Sequence, residues 1–119
     1  MKIQLVLALA GITLLLTPAA GYAGDSPAEK LYESYCVQCH GLKRNGTGVN
    51  LPGLSVRPRD HTDAKGMGST PDDELFKAIK EGGAAVNKSV LMPTWGGVLT
   101  DPQITELVKY LRQVCHCGS

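Results

Sequence analysis

Aromatic residues are scarce in this chain: one Phe, one Trp and four Tyr, or 5% of 119 residues. It therefore has few of the large side chains that dominate cores. Charge of one sign is missing too, with 12 Lys and Arg against 11 Asp and Glu. That balance excludes the basic excess of a nucleic-acid binder. Low charge with frequent Leu, Val and Ile excludes a disordered chain. No alternating strand pattern and no internal repeat occurs. What remains is room for one small domain, with a core thin enough that a large apolar cofactor would fill the deficit.

The first residues read as a targeting segment. Lys2 supplies a positive charge, Leu5 to Leu16 is almost wholly apolar, and Pro18 and Gly21 break the run before the small-residue site Gly21-Tyr22-Ala23. This is the pattern of a secretory signal peptide, residues 1–23, cut after Ala23. The run also has the length of a membrane span, but Pro18 and the small residues favour cleavage over a retained anchor. The mature domain is then residues 24–119, with equal numbers of acidic and basic side chains, and its expected location is the periplasm.

Three helices organise that domain. Ser26-Pro27-Ala28-Glu29 is a capping box with Pro at the first helical position, and Leu31, Tyr32 and Tyr35 follow at helical spacing, giving a helix from about Pro27 to Cys39. Thr70-Pro71-Asp72-Asp73 opens a second helix with acids at the positive end of its dipole; Leu75, Phe76 and Ile79 form its stripe, and Gly82-Gly83 stop it. The third begins at Thr100 or Asp101 and carries Ile104, Leu107, Val108, Leu111, Val114 and Cys115 on one face. Between the first two lies Gly41 to Ser69, rich in Gly and Pro and without periodicity. So long a loop is unusual in a compact domain, and needs something to wrap around.

Cys36-Val37-Gln38-Cys39-His40 carries the chemistry. C-x-x-C-H reads as a c-type haem attachment site: each Cys can add to one haem vinyl group, and the next residue brings an imidazole nitrogen to the iron. A thioredoxin-like redox pair would need a βαβ setting, which is absent. A zinc site closed by Cys115, His116 or Cys117 would need a second knuckle, which so tight a cluster supplies poorly.

From these residues the chain resembles the small monohaem class I cytochromes c, of the secreted bacterial type. The matches are Cys36, Cys39, His40 and Gly41, then Leu91-Met92-Pro93-Thr94-Trp95, then Ile104 to Val114. The resemblance implies an all-α small cytochrome c fold, with three main helices and long loops wrapped around one haem c bound covalently through Cys36 and Cys39. It implies His40 and Met92 as the iron ligands. Met67 lacks the following Pro, and His61 or His116 would give a bis-His haem of lower potential. It further implies that a loop carbonyl accepts from the His40 ring, with Pro52 in the family's position for that loop, that Leu54 packs on the haem, and that Arg57, Arg59 and Trp95 bond its propionates. Ala28 and Tyr32 are expected to meet Leu107 and Tyr110 where the terminal helices cross.

An iron with two protein ligands has no open site, so the implied function is a periplasmic one-electron carrier, not an enzyme. Its partners would be redox proteins, a membrane or periplasmic reductase or oxidase, with no nucleic acid and no small-molecule substrate. Two alternatives stand beside it: a haem enzyme or gas- or peroxide-binding protein with an open sixth position, and a metal or redox module on Cys115, His116 and Cys117. Lys43, Arg44, Arg57, Arg59 and Lys65 form a basic stretch suited to docking. At the tail, Cys115 continues the apolar stripe and is expected to be buried, Cys117 exposed. An intermolecular Cys117 bridge giving a dimer, or a modified thiol, is favoured over an internal bridge between such near neighbours. N-terminal sequencing of the exported protein is expected to begin at Gly24; a product beginning at Met1 or Lys2 overturns the signal reading.

Overall fold

The computed structural model of the chain describes residues 25–118, so the expected signal segment lies outside them. Its elements are α1 (Pro27–Tyr35), α2 (Val37–His40), a 3-10 turn (Leu51–Gly53), α3 (Ala64–Gly68), α4 (Asp72–Glu81), a second 3-10 turn (Gly83–Val86) and α5 (Asp101–Cys115). Among the described residues there is no strand, and no helix is long and apolar enough to cross a membrane. The all-α expectation holds, with five helices where three were expected. The predicted first helix is broken at Cys36, which caps α1 before the chain resumes as α2. The segment without periodicity contains α3, which is only five residues long and leaves no room for a repeating stripe.

Local chemistry explains the boundaries. Ser26 Oγ accepts from the Glu29 amide at 3.1 Å. The Glu29 carboxylate does not complete the capping box: it takes Arg44 Nη2 at 2.7 Å and the Tyr110 hydroxyl at 3.3 Å. At α5 both halves form, with the Gln103 amide donating to Thr100 Oγ1 and the Thr100 amide to Gln103 Oε1 at 2.9 Å. Asp72, Asp73 and Glu74 occupy the first turn of α4, where the helix dipole favours them.

α5 is the spine, packed by α1, α3 and α4. Tyr32 of α1 tilts against Tyr110 of α5 at 5.5 Å between ring centres, and Ala28 and Leu107 are buried in the same cluster, as the terminal-helix crossing requires. Tyr32, Met67, Ile104, Leu107 and Cys115 are the largest fully buried side chains. Met67 is thus a core filler, the common role of Met. Arg44, expected on a docking face, is instead a clamp. Its Nε donates to the Tyr110 hydroxyl at 2.7 Å, its Nη1 to the Leu42 carbonyl, and its Nη2 pairs with Glu29. Apolar surroundings and three acceptors hold it inward, leaving Lys43, Arg57, Arg59 and Lys65 as the exposed bases of that stretch.

The Gly-rich run after α2 answers a definite need. A helix end leaves its last carbonyls without partners. Here the Asn50, Gly48 and Gly46 amides donate to Gln38, Cys39 and His40 oxygens at 2.9, 3.0 and 2.9 Å. The loop lies so close that a Cβ on Gly48 would stand 2.3 Å from the Gln38 oxygen, whereas one on Gly53 would meet nothing within 4 Å. Gly48→Ala is therefore expected to destabilise the protein by about 1–3 kcal/mol through overpacking, with Gly53→Ala within about 0.5 kcal/mol of wild type. Chemical denaturation of both variants checks this; equal stabilities would refute the close-approach argument.

Candidate functional site

Between α1–α2, the long loop, α4 and the 83–95 segment lies a cavity of about 930 Å³, near the upper end of the ~300–1,000 Å³ usual for ligand and cofactor sites. Leu54, Leu75, Ala78, Ile79, Leu107 and Leu111 make its apolar lining. This is the space that the scarcity of aromatic residues left unfilled, and the long loop wraps around it.

Cys36, Cys39 and His40 all open onto the cavity because the break at Cys36 and the single turn of α2 hold them within five residues of chain. Both cysteines are free thiols. Burial, and then the neighbouring Cys39, pushes the Cys36 thiol up to about 12. A thioredoxin-like pair needs a strand–helix–strand setting, and the described residues contain no strand. His40 Nδ1 lies 2.9 Å from the Arg59 carbonyl oxygen. A carbonyl can only accept, so Nδ1 carries the proton and Nε2 keeps its lone pair. Burial lowers the His40 pKa, opposed by that hydrogen bond, and the neutral ring is the ligating form.

The expected loop carbonyl is present and Arg59 supplies it, but the expected place of Pro52 is corrected. Pro52 is exposed in the 51–53 turn and does not line the cavity. The reason is the pairing of Gly46, Gly48 and Asn50 with α2, which holds the chain close through Asn50 and turns it away at 51–53. The chain returns to the ring only at Pro58-Arg59, where the His61 amide donates to the Arg44 oxygen at 2.8 Å.

His61, weighed as an alternative iron ligand, is placed on the wrong side for that role. Its ring stacks on His40 at 4.2 Å between centres and 18° between planes. Two imidazoles bound to opposite faces of one iron point at each other through the metal; a stacked pair does not. His61 Nδ1 is 3.0 Å from the Tyr32 hydroxyl, and burial, then His40 and Arg59, holds its pKa well below the usual histidine value. A neutral ring is thus wedged between Tyr32 and His40. His116 caps α5 and does not reach the cavity.

The other expected residues are gathered at the same place. Met92 lines the cavity and Met67 does not. The Met92 loop packs directly on Gly82-Gly83: the Gly83 amide donates to the Met92 oxygen at 3.1 Å, and a Cβ on Gly83 would fall 2.2 Å from the Ser89 oxygen. The glycines that stop α4 also seat the Met. Leu54, Arg57, Arg59 and Trp95 all line the cavity. Trp95 is half-buried against Tyr35, and its amide donates to the Ile79 oxygen at 3.0 Å. The Arg59 guanidinium donates to the Gly66 oxygen at 3.1 Å and Thr70 Oγ1 at 2.5 Å. Sequence reasoning expected a loop carbonyl on His40 without saying which, and missed the His61 stack and the α2-capping amides. Only His61 left a signal, as an isolated histidine inside a loop.

At the tail, Cys115 is buried as expected, but Cys117 is half-buried and bonded to Cys115, with Cα atoms 5.1 Å apart. His116 takes a left-handed conformation (φ 50°), which folds the chain back and brings the two cysteines together. The favoured dimer through Cys117 is thereby corrected, and the metal-module alternative loses its thiolates.

A deep, mostly apolar cavity with a C-x-x-C-H turn at its wall, in an all-α frame, defines a c-type cytochrome domain. The family described as cytochrome c oxidase, cbb3-type, subunit III matches residues 24–111, and the chain belongs to it. Among solved structures it is similar to the KustC0563 c-type cytochrome, with 29% identity and a TM-score of 0.56 over 71% of this chain and 93% of that one. No curated protein matches. Haem c is the family's cofactor, and haem-based electron transfer between redox proteins its activity. The cavity size, the apolar lining and a neutral imidazole with a free Nε2 fit that group.

Tyr32→Phe removes the hydroxyl from buried His61 Nδ1. It is expected to cost about 1–3 kcal/mol, the penalty for an unsatisfied buried polar group. Thermal or chemical unfolding measures it; a change indistinguishable from zero would show that the pair is not stabilising.

Proposed function

We propose that this protein is a periplasmic one-electron carrier holding a single haem c, attached through thioethers from Cys36 and Cys39 and ligated by His40 and Met92. The observation that carries the reading is His40: its Nδ1 proton is held by the Arg59 carbonyl and its Nε2 is left free, beside two free thiols in a cavity of cofactor size. When bound, the haem supplies an iron that gains and loses one electron. The chain's own residues do the rest. Cys36 and Cys39 tether the ring, and His40 gives a nitrogen whose orientation is set by Arg59 and by the His61 face. Met92 is the sulfur ligand supported by its place on the lining. The apolar walls exclude water, which favours the less charged reduced iron. Were His40 and Met92 both to hold the iron, the protein would leave it no place for a substrate, which favours a carrier over an enzyme. The family description is that of an oxidase subunit, so the partner class is a membrane or soluble oxidase or reductase.

Arg57, Arg59 and Trp95 are proposed for the propionate edge. Arg57 has the freer guanidinium, since that of Arg59 already bonds Gly66 and Thr70.

Acid-acetone extraction is expected to leave the colour with the protein, and extraction into the solvent would overturn covalent attachment. The reduced wild type is expected not to bind carbon monoxide, and Met92→Ala to bind it with loss of the weak far-red band of the oxidised form. Retention of that band in Met92→Ala would remove Met92 from the iron.

A further inference from the structure

The Cys115–Cys117 bridge is used by none of the chemistry above, and neither cysteine lines the cavity. Its structural value is small. A disulfide stabilises chiefly by restricting the unfolded chain, and the gain grows with the loop it closes; this one encloses a single residue, His116. Its surroundings are, in contrast, arranged for both oxidation states. Cys115 is 2% exposed, while Cys117 is only partly buried and faces Gly68 of α3, whose lack of a side chain leaves space beside it. Arg112 Nη1 lies 3.8 Å from Cys117 Sγ. That guanidinium is itself fixed: Nη1 also donates to the Met67 oxygen at 2.6 Å, Nη2 to the Thr70 oxygen at 2.5 Å, and Nε to Asp72 at 2.7 Å. Asp72 offsets part of its charge from the exposed edge, but the Nη1 edge remains turned to the sulfur. On the other side, Cys115 Sγ lies 3.5 Å from the Arg112 oxygen and 3.6 Å from the Cys117 oxygen, acceptors for a thiol proton once the bridge opens.

We propose that Cys115–Cys117 is an exchange-competent disulfide, a two-electron site separate from the haem cavity, whose reductant is a dithiol. A thiolate of the dithiol attacks Cys117 Sγ, the accessible sulfur. The bond from the dithiol to Cys117 forms and the Cys115–Cys117 bond breaks. The electron pair leaves on Cys115 Sγ, which takes a proton and donates to the Arg112 carbonyl. The second thiolate of the dithiol then displaces Cys117, which leaves as a thiolate beside the Arg112 guanidinium, and a neighbouring cation is what lowers a thiol's pKa. The dithiol ends as a disulfide and the bridge as two thiols, so two electrons have moved.

The test uses the full haem-loaded chain under native conditions. The protein is equilibrated with graded ratios of reduced to oxidised dithiothreitol, quenched with a maleimide, and weighed intact. A species with both cysteines labelled is expected to appear in one two-electron step, while the haem spectrum and helical content are retained. A brief exposure to glutathione is expected to trap the mixed disulfide on Cys117. As single variants, Cys115→Ser is expected to react with iodoacetamide at least about tenfold faster than Cys117→Ser, because it leaves the accessible sulfur beside the Arg112 guanidinium free and the other leaves the buried one. A bridge that opens only on unfolding would overturn the proposal, as would glutathione found on Cys115. The wild-type trapping decides the matter even if a variant fails to fold.

Discussion

The hydrogen bond from His40 Nδ1 to the Arg59 carbonyl is where the rest of the molecule converges. One end belongs to a single turn of helix, the other to a loop that has left that helix and returned. The bond fixes which imidazole nitrogen is free, and it closes the long loop over the cavity. It survives only because both ends are held from behind. Gly46, Gly48 and Asn50 amides hold α2 by its carbonyls, and the His61 amide on the Arg44 oxygen holds the returning strand of loop. Arg44 is in turn locked to Glu29 and Tyr110. A chain of polar contacts thus runs from the α1–α5 crossing to the imidazole.

This arrangement lets a small domain keep a large cavity. The apolar core is modest, built on Tyr32, Met67, Ile104, Leu107 and Cys115. Tyr32 and Leu107 carry that core to the cavity wall, which α1, α2 and α4 share with the long loop and the 83–95 segment. Loops stay ordered when their backbone groups are satisfied. In this chain those groups pair with α2, with Arg59 and Arg112 side chains, and with the Gly82-Gly83 turn.

Charge is used in the same way. The total is near zero, yet two guanidiniums are turned inward to hold segments together. Arg44 joins α1, α5 and the first loop, and Arg112 joins α5 to α3 and to the start of α4. Arg suits this role because its planar fork presents several donors at once. The exposed charge left for partner recognition is therefore smaller than the composition suggests.

Amino-acid order alone encodes the all-α class, the α4 and α5 boundaries to within a residue or two, and the α5 stripe from Ile104 to Cys115. It also determined the C-x-x-C-H turn at a helix end. These are encoded by spacing and capping, contacts that form within one or two turns of chain. It pointed to Met92 over Met67 from a single following Pro, and the two side chains do sit differently, one on the cavity and one in the core. Which carbonyl holds His40, the stacking of His61 beside it, the inward turn of Arg44 and the pairing of Cys117 with Cys115 emerge only once the chain is packed. Every residue of the loop offers the same carbonyl group, so the choice of Arg59 over the neighbourhood of Pro52 depends on the path of the chain in space. The pairing at the tail likewise depends on one left-handed residue, His116, whose conformation no pattern of side chains announces.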